Sequence, residues 1–114
     1  MITGASDGCG EAMAYQLARA GFNIIIVSRS EQKMEKVQEA IHLIYDKKCV
    51  CIKYDFSKLA NAGEAEKLEK ILDRNLDKID VGVLVNNVGN AWFGDFHTMP
   101  FKVIFQLMSV NCAS

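Results

Sequence analysis

Near the amino terminus, Thr3-Gly4-Ala5-Ser6-Asp7-Gly8-Cys9-Gly10 sets three glycines within eight residues, directly ahead of an alanine-rich stretch. Glycine permits a tight turn and lets the backbone approach a bound group closely. The free N–H groups that open the following helix, aided by its dipole, attract negative charge. The chemistry open to Gly4, Ser6, Asp7, Gly8, Cys9 and Gly10 is therefore to cradle a phosphate or pyrophosphate. An ordinary surface turn has the same composition, so the motif needs support from elsewhere. Ser28-Arg29 supplies some of it. An acid at that point would accept hydrogen bonds from ribose hydroxyls, whereas a guanidinium pairs with a phosphate. Asp55 can accept a hydrogen bond from the adenine amino group and Phe56 can lie beside the ring, although an aspartate in such a turn more usually caps it. Asn86-Asn87-Val88-Gly89 brings amide side chains that can hold neighbouring loops and face a ligand through Asn87, Val88 and Gly89.

These residues are useful only if the fold brings them together. Residues 23–28 and 49–54 are short runs rich in β-branched side chains, suited to strands buried on both faces, and 81–85 reads as a third. Helical stretches lie between them. Residues 10–20 carry Ala14 and Ala18 one turn apart, with Gly21 as the stop. Residues 31–45 follow Ser30 as N-cap and align Met34, Val37, Ile41 and Ile44. Residues 64–76 align Ala65, Leu68, Leu72 and Leu76. A last helix starts near Pro100 and places Ile104, Leu107, Met108 and Asn111 on one face. Strands alternating with helices imply βαβ units, right-handed crossovers and a parallel, doubly wound α/β sheet of the Rossmann type. The four motifs then fall at the carboxyl ends of successive strands, where such sheets bind ligands. One dinucleotide lying across the sheet requires that placement. Ser28 and Arg29, in place of an acid, favour NADP(H) over NAD(H).

Composition is consistent with this. The chain has 114 residues, half of them hydrophobic and 24% charged, with one proline and eight glycines. That is a folded domain's composition and excludes a disordered tail or a collagen-like chain. Thirteen basic and fourteen acidic residues leave a net charge of −1, which provides no general attraction for nucleic acid. No apolar run nears the ~20 residues of a membrane span, and no signal-peptide pattern is present. Cys9, Cys49, Cys51 and Cys112 form no C-x-x-C pair, and His42 has no ligand partner one helical turn away. Free thiols in a reducing, intracellular compartment, with no metal site, are expected.

Thr3 to Gly10, as Thr-Gly-x-x-x-Gly-x-Gly, and Asn86 to Gly89, as Asn-Asn-x-Gly, resemble the paired fingerprints of the short-chain dehydrogenase/reductase family. Asp55 matches the family's aspartate after the third strand. Asn111, in Ser109-Val110-Asn111, matches its asparagine in the long helix after the fourth. Ala5-Ser6-Asp7-Gly8, Ile25 to Ser30, Asp55-Phe56-Ser57 and Val81 to Gly89, with Val88 where most of the family has alanine, are similar to one branch: 17-beta-hydroxysteroid dehydrogenases and very-long-chain 3-oxoacyl-CoA reductases. The resemblance implies an NADPH-dependent reductase acting on a ketone of a steroid or long acyl chain. By family, such an enzyme is often tied to the endoplasmic reticulum and can form a homodimer. It also implies that Thr3 ties the first turn to strand 81–85, that Gly4, Gly8 and Gly10 border the pyrophosphate and adenosine, and that Asn111 steadies the catalytic helix and a relay water. Cys9 stands where the family usually has isoleucine or leucine, and is expected as a small buried apolar residue.

The family's proton donor is a tyrosine followed four residues later by lysine, assisted by a serine, all after the asparagine. Tyr54 and Lys58 have that spacing by coincidence, ahead of the Asn-Asn turn. Residues 1–114 are thus expected to be a partial nucleotide-binding domain, truncated at both ends, with only Met1-Ile2 before Thr3 and an apolar helix still running at Ser114. The alternative is a non-catalytic nucleotide-binding or interaction remnant. Trp92, Phe93, Phe96 and His97 receive no role.

Overall fold

The computed structural model describes residues 1–112. The elements run β1 (Ile2–Thr3), α1 (Gly8–Arg19), β2 (Ile24–Ser28), α2 (Glu31–Tyr45), β3 (Cys49–Lys53), α3 (Glu64–Leu76) and α4 (Phe101–Cys112), with short 3-10 turns at Phe56–Lys58 and Phe96–Thr98. The three strands form one parallel sheet in the order β1-β2-β3. Ile2 lies opposite Ile26, and Ile24 to Ser28 lie opposite Cys49 to Lys53. β2 is central and wholly buried, as its run of branched side chains requires. Ile24 and Ile26 face α1 and α2, in a core with Ala14, Ala18, Met34, Val37 and Ile41. Ile25 and Val27 face the other way, joining Ile52, Tyr54 and Phe56, with Leu68, Ile71 and Leu72 of α3 packed against them. Helices on both faces make the fold a doubly wound, Rossmann-like α/β sheet.

Several expectations need correction. Residues 81–85 do not form a ladder strand. Only Val85 bridges, to Ile2, on the free side of β1. Thr3 N–H donates to the Val85 carbonyl at 3.0 Å and Val85 N–H to that of Met1 at 2.9 Å. The segment therefore runs where a fourth strand belongs, but its neighbour β1 is two residues long, so most of its backbone finds no partner. Ile44 is 68% exposed, because Tyr45 packs against the core in its place. Ala65 and Met108 also point outward, while Ile71 joins the α3 contact. Ser30 sits at the N-cap of α2 without a side-chain bond; its carbonyl accepts from Met34 N–H at 3.1 Å. α1 begins two residues earlier than expected, capped by Asp7. Gly21 ends that helix with φ 100°, a left-handed conformation that favours glycine. The expectation that the last helix is still running at Ser114 falls outside the described residues.

Candidate cofactor-binding cleft

The carboxyl ends of β1, β2 and β3 open into a cleft of about 500 Å³. Its wall combines all four sequence motifs: Gly4, Ser6, Asp7 and Cys9 from the glycine turn, Ser28 and Arg29 after β2, Asp55 and Phe56 after β3, and Asn87, Val88 and Gly89. The first three sets arrive there because parallel strands deliver their carboxyl ends to the same edge, and the Asn-Asn turn joins them through the Val85 bridge to Ile2 and its bonds to Thr3.

The glycine turn is fastened to the Asn-Asn turn by one threonine. The Thr3 hydroxyl accepts from Asn87 N–H at 3.0 Å and from Val88 N–H at 3.2 Å. The Asn87 amide nitrogen returns the contact, donating to the carbonyls of Thr3 (3.1 Å) and Gly4 (3.3 Å). Gly4 has φ 67°, and a Cβ there would stand 2.9 Å from Val88 Cγ2. Gly10 is different. It is buried at the start of α1, off the cleft wall, and a Cβ would stand 2.4 Å from the Asn87 amide nitrogen and 2.7 Å from the Gly4 carbonyl oxygen. Its role here is to let helix, turn and Asn87 approach. Gly8 has φ 58° with open space around it and is likewise off the wall.

At the far side, the hydroxyls of Ser6 and Ser28 share a 2.8 Å hydrogen bond beside Arg29. Asp7 accepts from Gly8 N–H at 2.8 Å and pairs with Lys33 in the first turn of α2. The Lys33 ammonium, with help from Gly8 N–H, holds the Asp7 carboxyl below its usual value. Asp55 caps its own turn, accepting from the Ser57 N–H (3.1 Å) and hydroxyl (2.8 Å), while its residue also faces the cleft. Phe56 stands edge-on to Tyr54, with ring centroids 5.3 Å apart.

Cys9 is exposed on the cleft rim, not buried as expected. At the second position of an amphipathic helix whose inner face is Gly10, Ala14 and Ala18, it points away from the core. Asn111 does not line the cleft. Its side chain accepts from Asn90 N–H at 2.8 Å and donates to the Asn90 carbonyl at 2.9 Å, which pins the loop after Gly89 to α4. Tyr54, Ser57, Asn90, Gln106 and Val110 line the cleft without having been anticipated. Tyr54, Ser57 and Asn90 adjoin known motifs, and Gln106 and Val110 lie one turn apart on α4, so adjacency and helical spacing were the available signals. Ser109 was also missed in this role: its hydroxyl donates to the Phe56 carbonyl and accepts from Ala60 N–H, both at 3.1 Å, and so docks α4 on the turn that carries Phe56. The Tyr54 hydroxyl donates to the Glu64 carbonyl at 3.3 Å, and burial, then Glu64, pushes its pKa up.

A parallel doubly wound sheet with a glycine turn, an Asn-Asn turn and an asparagine clamp on the next helix defines a class, and the short chain dehydrogenase family model matches residues 1–114. The chain belongs to that family. It is 39% identical over its whole length to hydroxysteroid dehydrogenase-like protein 1 of Gallus gallus, covering 33% of that protein. It is 44% identical over 81% of its length to the very-long-chain 3-oxoacyl-CoA reductase let-767 of Caenorhabditis briggsae, covering 28% of that protein. The chain thus spans about a third of the length of these curated relatives. Among solved structures, an alcohol dehydrogenase from the archaeon Thermococcus sibiricus, complexed with 5-hydroxy-NADP, superposes with a TM-score of 0.84 at 29% identity, over 96% of this chain and 45% of that one. The resemblance to the hydroxysteroid dehydrogenase and 3-oxoacyl-CoA reductase branch, read from the sequence, holds.

Proposed function

We propose that the cleft binds NADP(H), and that the chain is the cofactor-binding part of a reductase acting on a ketone of a steroid or long-chain 3-oxoacyl substrate. The observation that carries this reading is the end of β2. Ser28 there bonds Ser6, and Arg29 follows, where an NAD-selective site would set an acid against the ribose hydroxyls. The residues present fit the group. Gly4 is a close-approach glycine whose Cβ would strike Val88. Two hydroxyls and a guanidinium stand where an adenosine phosphate needs donors. Phe56 and Asp55 offer a face and an acceptor for adenine, while Ser6, Asp7, Gly8, Cys9 and Gly10 carry the pyrophosphate turn. When bound, the nicotinamide would supply a hydride for a carbonyl carbon. The chain's own residues orient and shield: Thr3 and Asn87 fix the two turns, and Asn111 holds the loop beyond Gly89 against α4. In a protein of the relatives' length, the family's serine and Tyr-x-x-x-Lys would follow Asn111 and provide the proton. Homodimer formation and endoplasmic reticulum location belong to the same proposal for the whole protein.

The test is cofactor titration of the whole protein with NADPH and NADH, wild type against Arg29→Ala. A charge-assisted phosphate contact is worth about 1.5–3 kcal/mol, so NADPH affinity should fall roughly ten- to 150-fold while NADH changes little. Equal losses for both would refute the assignment of Arg29. NADPH binding without turnover of any ketone would favour a non-catalytic nucleotide-binding protein.

A further inference from the structure

The cleft has an electrostatic difficulty. Its charged wall residues are Asp7, Arg29 and Asp55, a formal charge of −1. A phosphate ester, which carries about −1.5 to −2 at neutral pH, would have to enter beside two carboxylates. Asp55 is engaged by Ser57 N–H and hydroxyl within its own turn. Asp7 adjoins Ser6, whose hydroxyl is half of the Ser6–Ser28 pair, and it is the carboxylate nearest in sequence to the proposed phosphate donors. Its partner is Lys33, four residues beyond Arg29 in the first turn of α2. Lys33 is not on the cleft wall, yet its charge brings the set to neutral.

Resting on the proposed NADP(H) reading, we infer that Lys33 is a specificity-determining residue, acting on the phosphate-bearing cofactor indirectly by neutralising Asp7. Asp7 caps α1, accepting from Gly8 N–H; without Lys33 that cap would repel the ligand its helix attracts. The pair is exposed, so its effect is modest and salt-dependent. Because the phosphate carries a charge that NADH lacks, the effect appears in the ratio of the two affinities, whereas a purely structural contribution from the ion pair would move both together.

The experiment is a double-mutant cycle on the whole protein, with NADPH and NADH titrated by fluorescence at low salt. Its members are wild type, K33Q, D7N and K33Q/D7N. Asparagine caps helices as well as aspartate does, so D7N removes the charge and keeps the cap. In K33Q the NADPH-to-NADH affinity ratio should fall about fivefold, the upper end for an exposed charge pair. In K33Q/D7N the ratio should return to within about twofold of wild type, because the unneutralised carboxylate is gone. A ratio unmoved by K33Q, in a protein whose wild type prefers NADPH, overturns the inference and leaves the cofactor reading standing. A fall that D7N does not restore also overturns it, since Lys33 would then be meeting the phosphate directly. A wild type without preference for NADPH overturns both.

Discussion

Thr3→Val tests the joint that assembles the cleft. Valine keeps the shape of threonine and replaces only the hydroxyl. Thr3 is 5% exposed, and its oxygen is the acceptor for both Asn87 N–H (3.0 Å) and Val88 N–H (3.2 Å). Removing it leaves two backbone donors facing a methyl group. A buried donor without a partner costs about 1–3 kcal/mol. Both sites are part-buried, which puts each near the low end, so the total should be about 2–3 kcal/mol, less a few tenths returned by the added methyl. Urea unfolding of the whole protein, followed by far-ultraviolet circular dichroism, should show the midpoint lowered by roughly 1–2 M at unchanged slope. Thr3→Ser, which restores the acceptor but loses a methyl, should recover most of the loss. NADPH affinity should fall with Thr3→Val as well, because Asn87 and Val88 form one wall of the cleft. A Thr3→Val midpoint equal to wild type, or a Thr3→Ser protein as unstable as Thr3→Val, would show that the hydroxyl does not hold the two turns together.

The other predictions concern glycines and thiols. Gly10→Ala should destabilise by about 2–3 kcal/mol despite alanine's better helix propensity, because its Cβ would press on Asn87 and the Gly4 carbonyl; Gly10→Asn should be worse. Gly8→Ala has open space and pays only for its positive φ, about 1–2 kcal/mol, and Gly8→Asn should recover part of that, since asparagine tolerates the left-handed region. Thermal melts that rank the four variants otherwise would refute the division of roles between the two glycines. Burial, then the neighbouring Cys51, pushes the Cys49 thiol up to about 12. The unfolded chain loses that proton near its ordinary value of 9 while the folded chain keeps it, so this contribution to stability is complete below pH 9 and is lost as pH rises toward 12. Stability should therefore fall more steeply between pH 9 and 11 in wild type than in Cys49→Ala, and identical slopes would count against it. At pH 8, iodoacetamide followed by mass spectrometry should find exposed Cys9 alkylated well before Cys49.

How much of this could be read from the sequence depends on the range of the interaction concerned. The bounds of α2 and α3, and β2 and β3 to within a residue, follow from periodicity and branched side chains, which act locally. So does the placement of the four motifs, because a parallel sheet sends every strand's carboxyl end to one edge. Failures begin where a second element decides. Ile44 has the right spacing for the core stripe, but Tyr45, packed near Tyr15 at a ring separation of 6.4 Å, takes the position instead. Cys9 has the right size for a buried residue, yet Gly10 is the residue turned inward.

Residues 81–85 show the same limit most fully. Their valine-rich run, Val-Gly-Val-Leu-Val, is a strand's, and Val85 does lie alongside β1. A ladder, however, is made of bonds between two backbones, and pairing is available only where β1 offers a residue. Thr3 and Met1 meet Val85, and the amino group of Met1 reaches the Val83 carbonyl at 2.6 Å; beyond that the segment has propensity without a partner. Leu84 in this segment is 54% exposed. The Asn-Asn turn survives this short pairing because Thr3 and Asn87 replace ladder bonds with side-chain bonds. Thr3 and Asn87 thus join the glycine turn to the Asn-Asn turn directly, through a hydroxyl and an amide.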